Sequence, residues 1–336
     1  MAETMRAAQY RRPGEVEIVH LDEPSGDDAT IVEIDYCGIC GTDLHMMIDG
    51  WGTPDTVFGH EWSGRILESG ASDLAPGTLV VGLPDTPCGR CDRCAAGRTS
   101  LCRNRPEAGA ARSHGAFAQR MTTPPESLVA VPPGIDAREA AYTEPLAVAL
   151  HAVTLSAIGD DQAALVIGAG PIGAAIIAIL VDRGIRVRAT ELSASRAALA
   201  AELGATVIAP TELDVPAHPG QDAADAADVV FETSGARAAA EQGLTQVTAG
   251  GLLMLVGTGL DAPRIDTNRV ILNEIRITGA FNYDAAGFTD ALALIGSGRL
   301  PLDLLIEPQA VGLDAMMDAM LALRAGTIAG KVLVTP

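Results

Sequence analysis

Residues 163–173 read AALVIGAGPIG, and this stretch decides the fold. Four apolar residues, Ala164, Leu165, Val166 and Ile167, run into Gly168-x-Gly170-x-x-Gly173, with Pro171 and Ile172 inside the motif and an apolar segment rich in Ile and Ala after it. The pattern is strand, tight turn, helix. The glycines permit a turn that a side chain blocks, and they let the backbone approach a pyrophosphate lying on the free N–H groups of the helix start. A lone GxGxxG carries little weight because Gly-rich turns are common, so its setting has to carry the reading.

Outward from that turn, the chain from about Pro145 alternates Ala-rich helical segments with apolar strands, the pattern of a parallel sheet. Strands are expected near 164–167, 186–190, 206–208, 228–231, 252–256 and 275–278, the six that a complete dinucleotide fold requires. Ile172, Ile176 and Leu180 recur at helical spacing and give the helix after the glycines a stripe toward the sheet. Ser193 reads as the N-cap of the next helix and Gly204 as its end, while Pro210–Asp222 reads as a surface loop. Glu191 ends the second strand, 18 residues after Gly173. An acid there binds the ribose hydroxyls of NAD and repels a 2′-phosphate, so NAD is expected over NADP. Arg196, in the same turn region, either approaches a phosphate or is an exposed helix charge, and the second reading is preferred.

Residues 1–145 read differently, as short strands such as Val16–Leu21, Ile31–Tyr36, Trp62–Leu67 and Leu79–Leu83, separated by Pro24-Ser25-Gly26 and Ala75-Pro76-Gly77. After Gly279 the texture is mixed again, with a helix near Gly287–Ile295 and a closing strand Lys331–Val334. The expected organisation is a β-rich domain at 1–145, a nucleotide domain at 146–282, and a tail at 283–336 that returns to the first domain. A chain of 336 residues suits two cores better than one. Its formal charge of −20 disfavours nucleic acid or an anionic membrane as partner. The N-terminus lacks an apolar signal region and the longest apolar run, Ile172 to Val181, is half a membrane span, so a soluble cytoplasmic protein is expected.

All six cysteines lie in the first third, which without a secretory signal reads as metal binding rather than disulfides. Cys88-x2-Cys91-x2-Cys94-x7-Cys102 places four thiolates around one tetrahedral zinc with no open position, a structural staple for a lobe at 87–103. A second metal signal is dispersed over Cys40-Gly-Thr42-Asp43-x-His45, Gly59-His60-Glu61 and Thr143-Glu144-Pro145. Each piece is weak by itself, as are the isolated His20, His114 and His218. Together, a thiolate, an imidazole and a carboxylate suit a zinc that keeps one position for substrate. Cys37 imitates a zinc pair with Cys40 but reads as buried filler.

The combination of CGICGTDLH (37–45), GHEWSG (59–64), the four-cysteine lobe, EPLAVALH (144–151), GAGPIG (168–173) and GKVLV (330–334) resembles the zinc-dependent medium-chain dehydrogenase/reductase superfamily, in the family's order and over nearly the whole chain. The resemblance implies an α/β protein: a β-rich GroES-like catalytic domain plus a Rossmann doubly wound parallel sheet. It implies that Cys40 and His60 are fixed ligands of a catalytic zinc and that Glu61 is a third ligand or exchanges with water. Glu144 stands where the best-known alcohol dehydrogenases supply a second cysteine, in a context similar to the polyol and threonine dehydrogenase branches, and the choice between Glu61 and Glu144 stays open. By the same resemblance Thr42 is the first group of a proton relay, His45 lies near its exit, and Asp43 fixes the tautomer of a liganding histidine.

The implied activity is hydride transfer between NAD and a secondary alcohol, polyol or cyclitol-like hydroxyl, with two zinc ions per subunit in a homodimer or homotetramer. The alternatives are an aldehyde or ketone reductase of the same superfamily, and a non-catalytic binding or structural protein on this fold. The presence of Cys40, His60, Glu61, Glu144 and Thr42 argues against the last. Met46, Met47, Trp51 and Phe58, with Asn282 and Tyr283, are candidates for a substrate pocket or for core.

Overall fold

The computed structural model describes residues 4–25, 30–70, 72–105 and 115–336; His114 and Gly26 of the expected Pro24-Ser25-Gly26 turn lie outside them. All six expected strands of the nucleotide sheet form. They lie in the spatial order Thr206–Val207, Arg186–Thr190, Ala163–Ile167, Ala227–Glu232, Val247–Leu255, Arg276–Gly279, and every pairing is parallel. In chain order this is 3-2-1-4-5-6, the doubly wound arrangement, whose crevice opens beyond the C-terminal ends of the first and fourth strands. Gly168 and Thr233 follow those two ends, and Thr233 N donates to Ile167 O at 3.0 Å.

The helix after the turn, Pro171–Asp182, departs from the expected single stripe. Every residue from Gly173 to Leu180 is buried. The sheet covers one side, the long helix Thr143–Ser156 packs on another, and all belong to one apolar cluster. A helix covered on several faces has no solvated side to keep polar, which accounts for its near absence of charge. The next helix is Ala194–Glu202, with Ser193 as its N-cap accepting from Arg196 N, and Gly204 follows its end at φ +100°. Pro210–Asp222 opens with a short 3₁₀ turn, Pro210–Glu212, and carries no longer helix or strand.

The second large sheet has seven strands. Its path runs Val311–Gly312, Leu333–Thr335, Thr30–Gly38, Glu61–Glu68, Leu79–Gly82, Leu128–Ala130, with Arg120–Thr123 also paired to Thr30–Gly38. Thr4–Arg12 and Glu15–Asp22 form a separate antiparallel hairpin. The register matters for chemistry: Gly38 lies opposite both Glu61 and Leu333. The turn to Cys40, the strand start at His60–Glu61 and the segment around Lys331 therefore meet at one end of the sheet. Met316, Met320 and Leu323 of the helix Met316–Arg324 pack into the same apolar cluster as Met5, Val32 and Trp62. Among the described residues no helix is long and apolar enough to cross a membrane.

Candidate active site and metal centres

Cys40 is the N-cap of the short helix Gly41–Met47. Its backbone N–H donates to Asp43 Oδ2 at 2.9 Å, and the other oxygen of Asp43 lies 3.6 Å from His60 Nδ1. One carboxylate thus holds the turn that presents the thiol and stands beside the Nδ1 edge of the imidazole. Gly59, at φ +98°, allows the approach, because a Cβ there would stand 2.8 Å from Cys37 Sγ and Phe117 N. Gly38 makes room in the same way for Glu61, whose Oε2 would lie 2.3 Å from a Cβ at that position.

One donor atom each from Cys40, His60 and Glu61 falls within 4.8 Å of the others. Thiolate, imidazole and carboxylate at that separation fit one zinc ion with a fourth position open. Glu144, second residue of the helix Thr143–Ser156, is buried beside this group but outside the three-donor cluster. Burial is the main cause that pushes its carboxyl up to about 7, with Glu61 and Asp43 adding to the rise and His60 and Lys331 opposing it. Burial opposes a charge on His60 as well, yet Asp43 and Cys40 outweigh it and hold the imidazole well above its usual value in the metal-free chain.

Lys331 is the residue that sequence reasoning missed. Its ammonium is buried and donates to Glu61 Oε1 at 2.8 Å, Glu61 Oε2 at 2.6 Å and Ile39 O at 2.9 Å. Burial alone lowers a lysine pKa; here Glu61, with Cys40 and Glu144 nearby, overcomes that and raises it. A signal was present: a single lysine inside the apolar run GKVLV needs a partner when the strand is buried.

Of the other expected relay groups, Thr42 is exposed with Oγ1 3.7 Å from Cys40 Sγ. His45 Nδ1 lies 2.8 Å from Asp49 Oδ2, and its ring stacks on Trp51 with centroids 4.7 Å apart. Met47 is core, Met46 and Phe58 pack against that core, and Trp51 is half-exposed. Tyr283 is buried against Phe288 and Asn282 is only partly buried, and both line a small cavity with Asp85 and Arg105. Cys37 is fully buried in the apolar cluster, and burial pushes its thiol well up.

The four sulfurs of Cys88, Cys91, Cys94 and Cys102 also lie within 4.8 Å of one another, and none is in a disulfide. Gly89 and Gly97, both at positive φ, turn the loop around them. The backbone N–H of Arg90, then the Asn104 amide, pull Cys88 down to about 6, while burial and the neighbouring Cys91 and Cys102 push Cys94 up to about 12. Such splitting is what crowded thiols do without a cation, and a closed tetrahedral zinc removes the conflict. The lobe is tied down by Asp284, which accepts from Ser100 N at 2.9 Å and pairs with Arg98 at 3.2 Å.

At the glycine turn, Gly168 has φ +90°, and a Cβ on Gly173 would stand 2.0 Å from Gly168 O. Thr233 Oγ1 closes the turn by donating to Gly168 O at 2.7 Å, a contact the motif alone did not announce. Gly170 faces open space, its nearest neighbour being Arg196 Nη1, 4.0 Å from where a Cβ would be. Pro171 starts the helix without needing a donor, and Ile172 packs against the core. Glu191 accepts from Ala169 N at 2.7 Å, Leu192 N at 2.7 Å and Ser193 N at 2.8 Å, so its carboxylate sits against the turn itself. Arg196 is not the free helix charge preferred from sequence. It is half-buried, donating to Leu323 O at 2.6 Å, because the end of the Met316–Arg324 helix docks there.

Residues 26–133 match the alcohol dehydrogenase GroES-like domain, and residues 171–297 match the zinc-binding dehydrogenase domain. The chain is 35% identical over 308 residues to 2-dehydro-3-deoxy-L-galactonate 5-dehydrogenase of Pseudoalteromonas atlantica, covering 89% of each. It is 33% identical to L-threonine 3-dehydrogenase of Thermococcus kodakarensis, over 100% of this chain and 99% of the relative. Among solved structures, 2R,3R-butanediol dehydrogenase from Bacillus subtilis superposes with a TM-score of 0.87 at 28% identity, covering 99% of both chains.

Proposed function

Because the chain belongs to the zinc-dependent medium-chain dehydrogenase/reductase superfamily, and is thereby an oxidoreductase of the alcohol dehydrogenase type, we propose that it moves a hydride between a secondary hydroxyl of a polyol-like substrate and NAD. The observation that carries this reading is the meeting of Cys40, His60 and Glu61 within 4.8 Å, with Lys331 buried behind Glu61. The substrate class is supported by the relatives, whose names specify a deoxy sugar acid at position 5, threonine at position 3 and 2R,3R-butanediol. Those are internal carbons, where a hydroxyl is secondary.

In this reading Cys40, His60 and Glu61 hold the catalytic zinc, and Cys88, Cys91, Cys94 and Cys102 hold a second, structural one. When bound, zinc supplies a Lewis acid that lets a hydroxyl release its proton near neutral pH, and nicotinamide supplies the hydride acceptor. Asp43 keeps His60 turned with Nε2 toward the metal position. Glu144, buried beside the three donors, would bind the metal or hold its water. Thr42 and His45 carry the substrate proton outward. Gly168, Gly170, Pro171, Ile172 and Gly173 seat the pyrophosphate on the helix start, and Glu191 takes the adenosine ribose hydroxyls. Arg196 borders Gly170 while its guanidinium holds the end of the Met316–Arg324 helix. Segments 1–145 and 283–336 form the catalytic unit and 146–282 the nucleotide unit, a division supported by the strands near 311 and 333 sharing the sheet of Thr30–Gly38. Assembly as a homodimer or homotetramer belongs to the same reading.

The test is a panel of polyols, sugar acids, vicinal diols and amino alcohols with NAD, followed through reduced nicotinamide, on protein whose zinc content is measured. Turnover with about two zinc per chain is expected; zinc-replete protein that oxidises no member of the panel refutes the proposal. Glu191→Ala is expected to lower the NAD-to-NADP ratio of kcat/KM by about 10-fold or more, and an unmoved ratio removes Glu191 from cofactor choice.

A further inference from the structure

The helix Met316–Arg324 ends between two parts of this site. On one side, Arg196 Nη2 donates to Leu323 O at 2.6 Å, and the hydroxyls of Ser193 and Ser195 donate to Gly326 O at 2.5 and 2.9 Å. The loop after Glu191 thereby caps carbonyls at the helix end. On the other side, Arg324 donates from Nη2 to Asp49 Oδ1, and Asp49 Oδ2 faces His45 Nδ1 at 2.8 Å. Trp51 lies nearly parallel to the imidazole, at an interplanar angle of 16°. His45 is therefore held at one edge by a carboxylate and over one face by an indole. The two Asp49 oxygens are divided between the two basic side chains.

We propose that Asp49, itself held by Arg324, is a positioning residue for proton transfer through His45. With Nδ1 committed to the carboxylate, the imidazole keeps its hydrogen there and Nε2 is the nitrogen that exchanges protons. In the oxidative direction the one proton that leaves the substrate hydroxyl reaches Nε2 by way of the Thr42 hydroxyl, Nδ1 keeps its hydrogen and goes on donating it to Asp49, and the imidazolium then gives the Nε2 proton to water. Asp49 remains a carboxylate throughout, and Arg324 and His45 both hold its pKa below the usual carboxylate value. The Arg324 side chain is 44% exposed, but Arg196, Ser193 and Ser195 pin the helix end from which it reaches Asp49.

The proposal rests on the dehydrogenase reading, and two readouts separate their failures. The first needs no substrate: nitrogen-15 NMR of histidine-labelled, zinc-loaded full-length protein, with His45 assigned by its loss in His45→Gln. The expected signature is the Nδ1–H tautomer in the native chain and its loss in Asp49→Asn and Arg324→Ala. The second is turnover of whichever panel alcohol the native protein oxidises. Asp49→Asn is expected to lower kcat about 10- to 100-fold, the range for partners that orient a functional histidine, with KM for NAD unchanged within about 2-fold. Arg324→Lys should restore both signals where Arg324→Ala loses them, and it also serves if Asp49→Asn does not fold. A native protein without turnover overturns the dehydrogenase reading while the tautomer still tests the pair. An active native protein whose Asp49→Asn and Arg324→Ala variants keep the native tautomer, or kcat within about 2-fold, overturns the role of Asp49.

Discussion

Replacing Lys331 with methionine removes the ammonium but keeps an unbranched stem of similar volume, so the main change is electrostatic. The native ammonium lies 2.6 and 2.8 Å from the two oxygens of Glu61 and 2.9 Å from Ile39 O, with both ionic side chains at most 2% exposed. Breaking one side of such a pair leaves a buried carboxylate uncompensated, at a cost of about 3–5 kcal/mol. Chelator-treated Lys331→Met should therefore unfold about 6–20 °C below chelator-treated native protein, at roughly 2–4 °C per kcal/mol for a large domain. Zinc offers Glu61 a second cation, so the deficit should shrink when both proteins are metal-loaded. Removing both charges in Glu61→Gln/Lys331→Met should recover part of the loss in the metal-free state, giving a coupling of about 2–3 kcal/mol in a double-mutant cycle. The folded pKa of Lys331 is raised above its ordinary 10.5. Its stabilising contribution is thus complete below the ordinary value of 10.5 and lost only as pH rises through the higher folded value, adding no pH dependence of its own between about pH 6 and 9. A deficit under about 1 kcal/mol without metal, or a double variant no more stable than Lys331→Met, refutes the pairing argument.

Three further outcomes follow from the same geometry. In Gly173→Ala the new Cβ would meet Gly168 O at 2.0 Å and Thr233 Oγ1 at 2.8 Å. The turn must open, and NAD affinity by calorimetric titration should fall about 10-fold or more with zinc content unchanged; native affinity excludes the turn from cofactor binding. Cys91→Ser should release one zinc of two and lower the midpoint of thermal unfolding, whereas loss of both ions, or of none, shows that the four sulfurs do not form a separate site. Glu144 bears on pH: its folded pKa of about 7 exceeds the ordinary 4.5, so the stability it contributes is complete below pH 4.5 and lost as pH rises through about 7. Metal-free Glu144→Gln, a mimic of the neutral carboxyl, should match the native chain at pH 5 and exceed it at pH 8 by up to about 3 kcal/mol. Denaturation at the two pH values checks this, and an equal gap at both denies that Glu144 titrates in that window.

Legibility followed sequence distance. The glycine turn, the four-cysteine lobe and the six parallel strands are written within short stretches, because a turn, a metal loop and a strand each depend on neighbouring residues. The place of Glu191 is legible too, since it directly follows the strand Arg186–Thr190. The order of the strands is another matter: nothing local makes Ala163–Ile167 pair with Ala227–Glu232, and that adjacency comes from the packing of the intervening helices. The full burial of Pro171–Asp182 was understated because Ile172, Ile176 and Leu180 fit a one-sided stripe, while Ala174, Ala175 and Ala178 gave no hint that another helix covers them. Arg196 was misjudged for the same reason. A cation on a helix looks exposed until the distant carbonyl that receives it, Leu323 O, is in place.

The residues least visible in sequence share an origin in the tail. Lys331 reaches Glu61, Arg324 reaches Asp49, and the carbonyls of Leu323 and Gly326 receive Arg196, Ser193 and Ser195. Leu333–Thr335 fixes this segment by pairing with the strand that leads to Cys40, while Met316, Met320 and Leu323 bury the preceding helix in the same core. A single stretch of chain therefore touches Glu61, the carboxylate that faces His45, and the loop that carries Glu191. Those contacts are polar and directional, so a small shift of the tail breaks hydrogen bonds at several of these places together, whereas the apolar core beneath tolerates it. On the proposed dehydrogenase reading, a tail bonded both to the Glu191 loop and to Glu61 and Asp49 would tie the position of the hydride acceptor to that of the metal, which a reaction requiring both at a fixed separation needs.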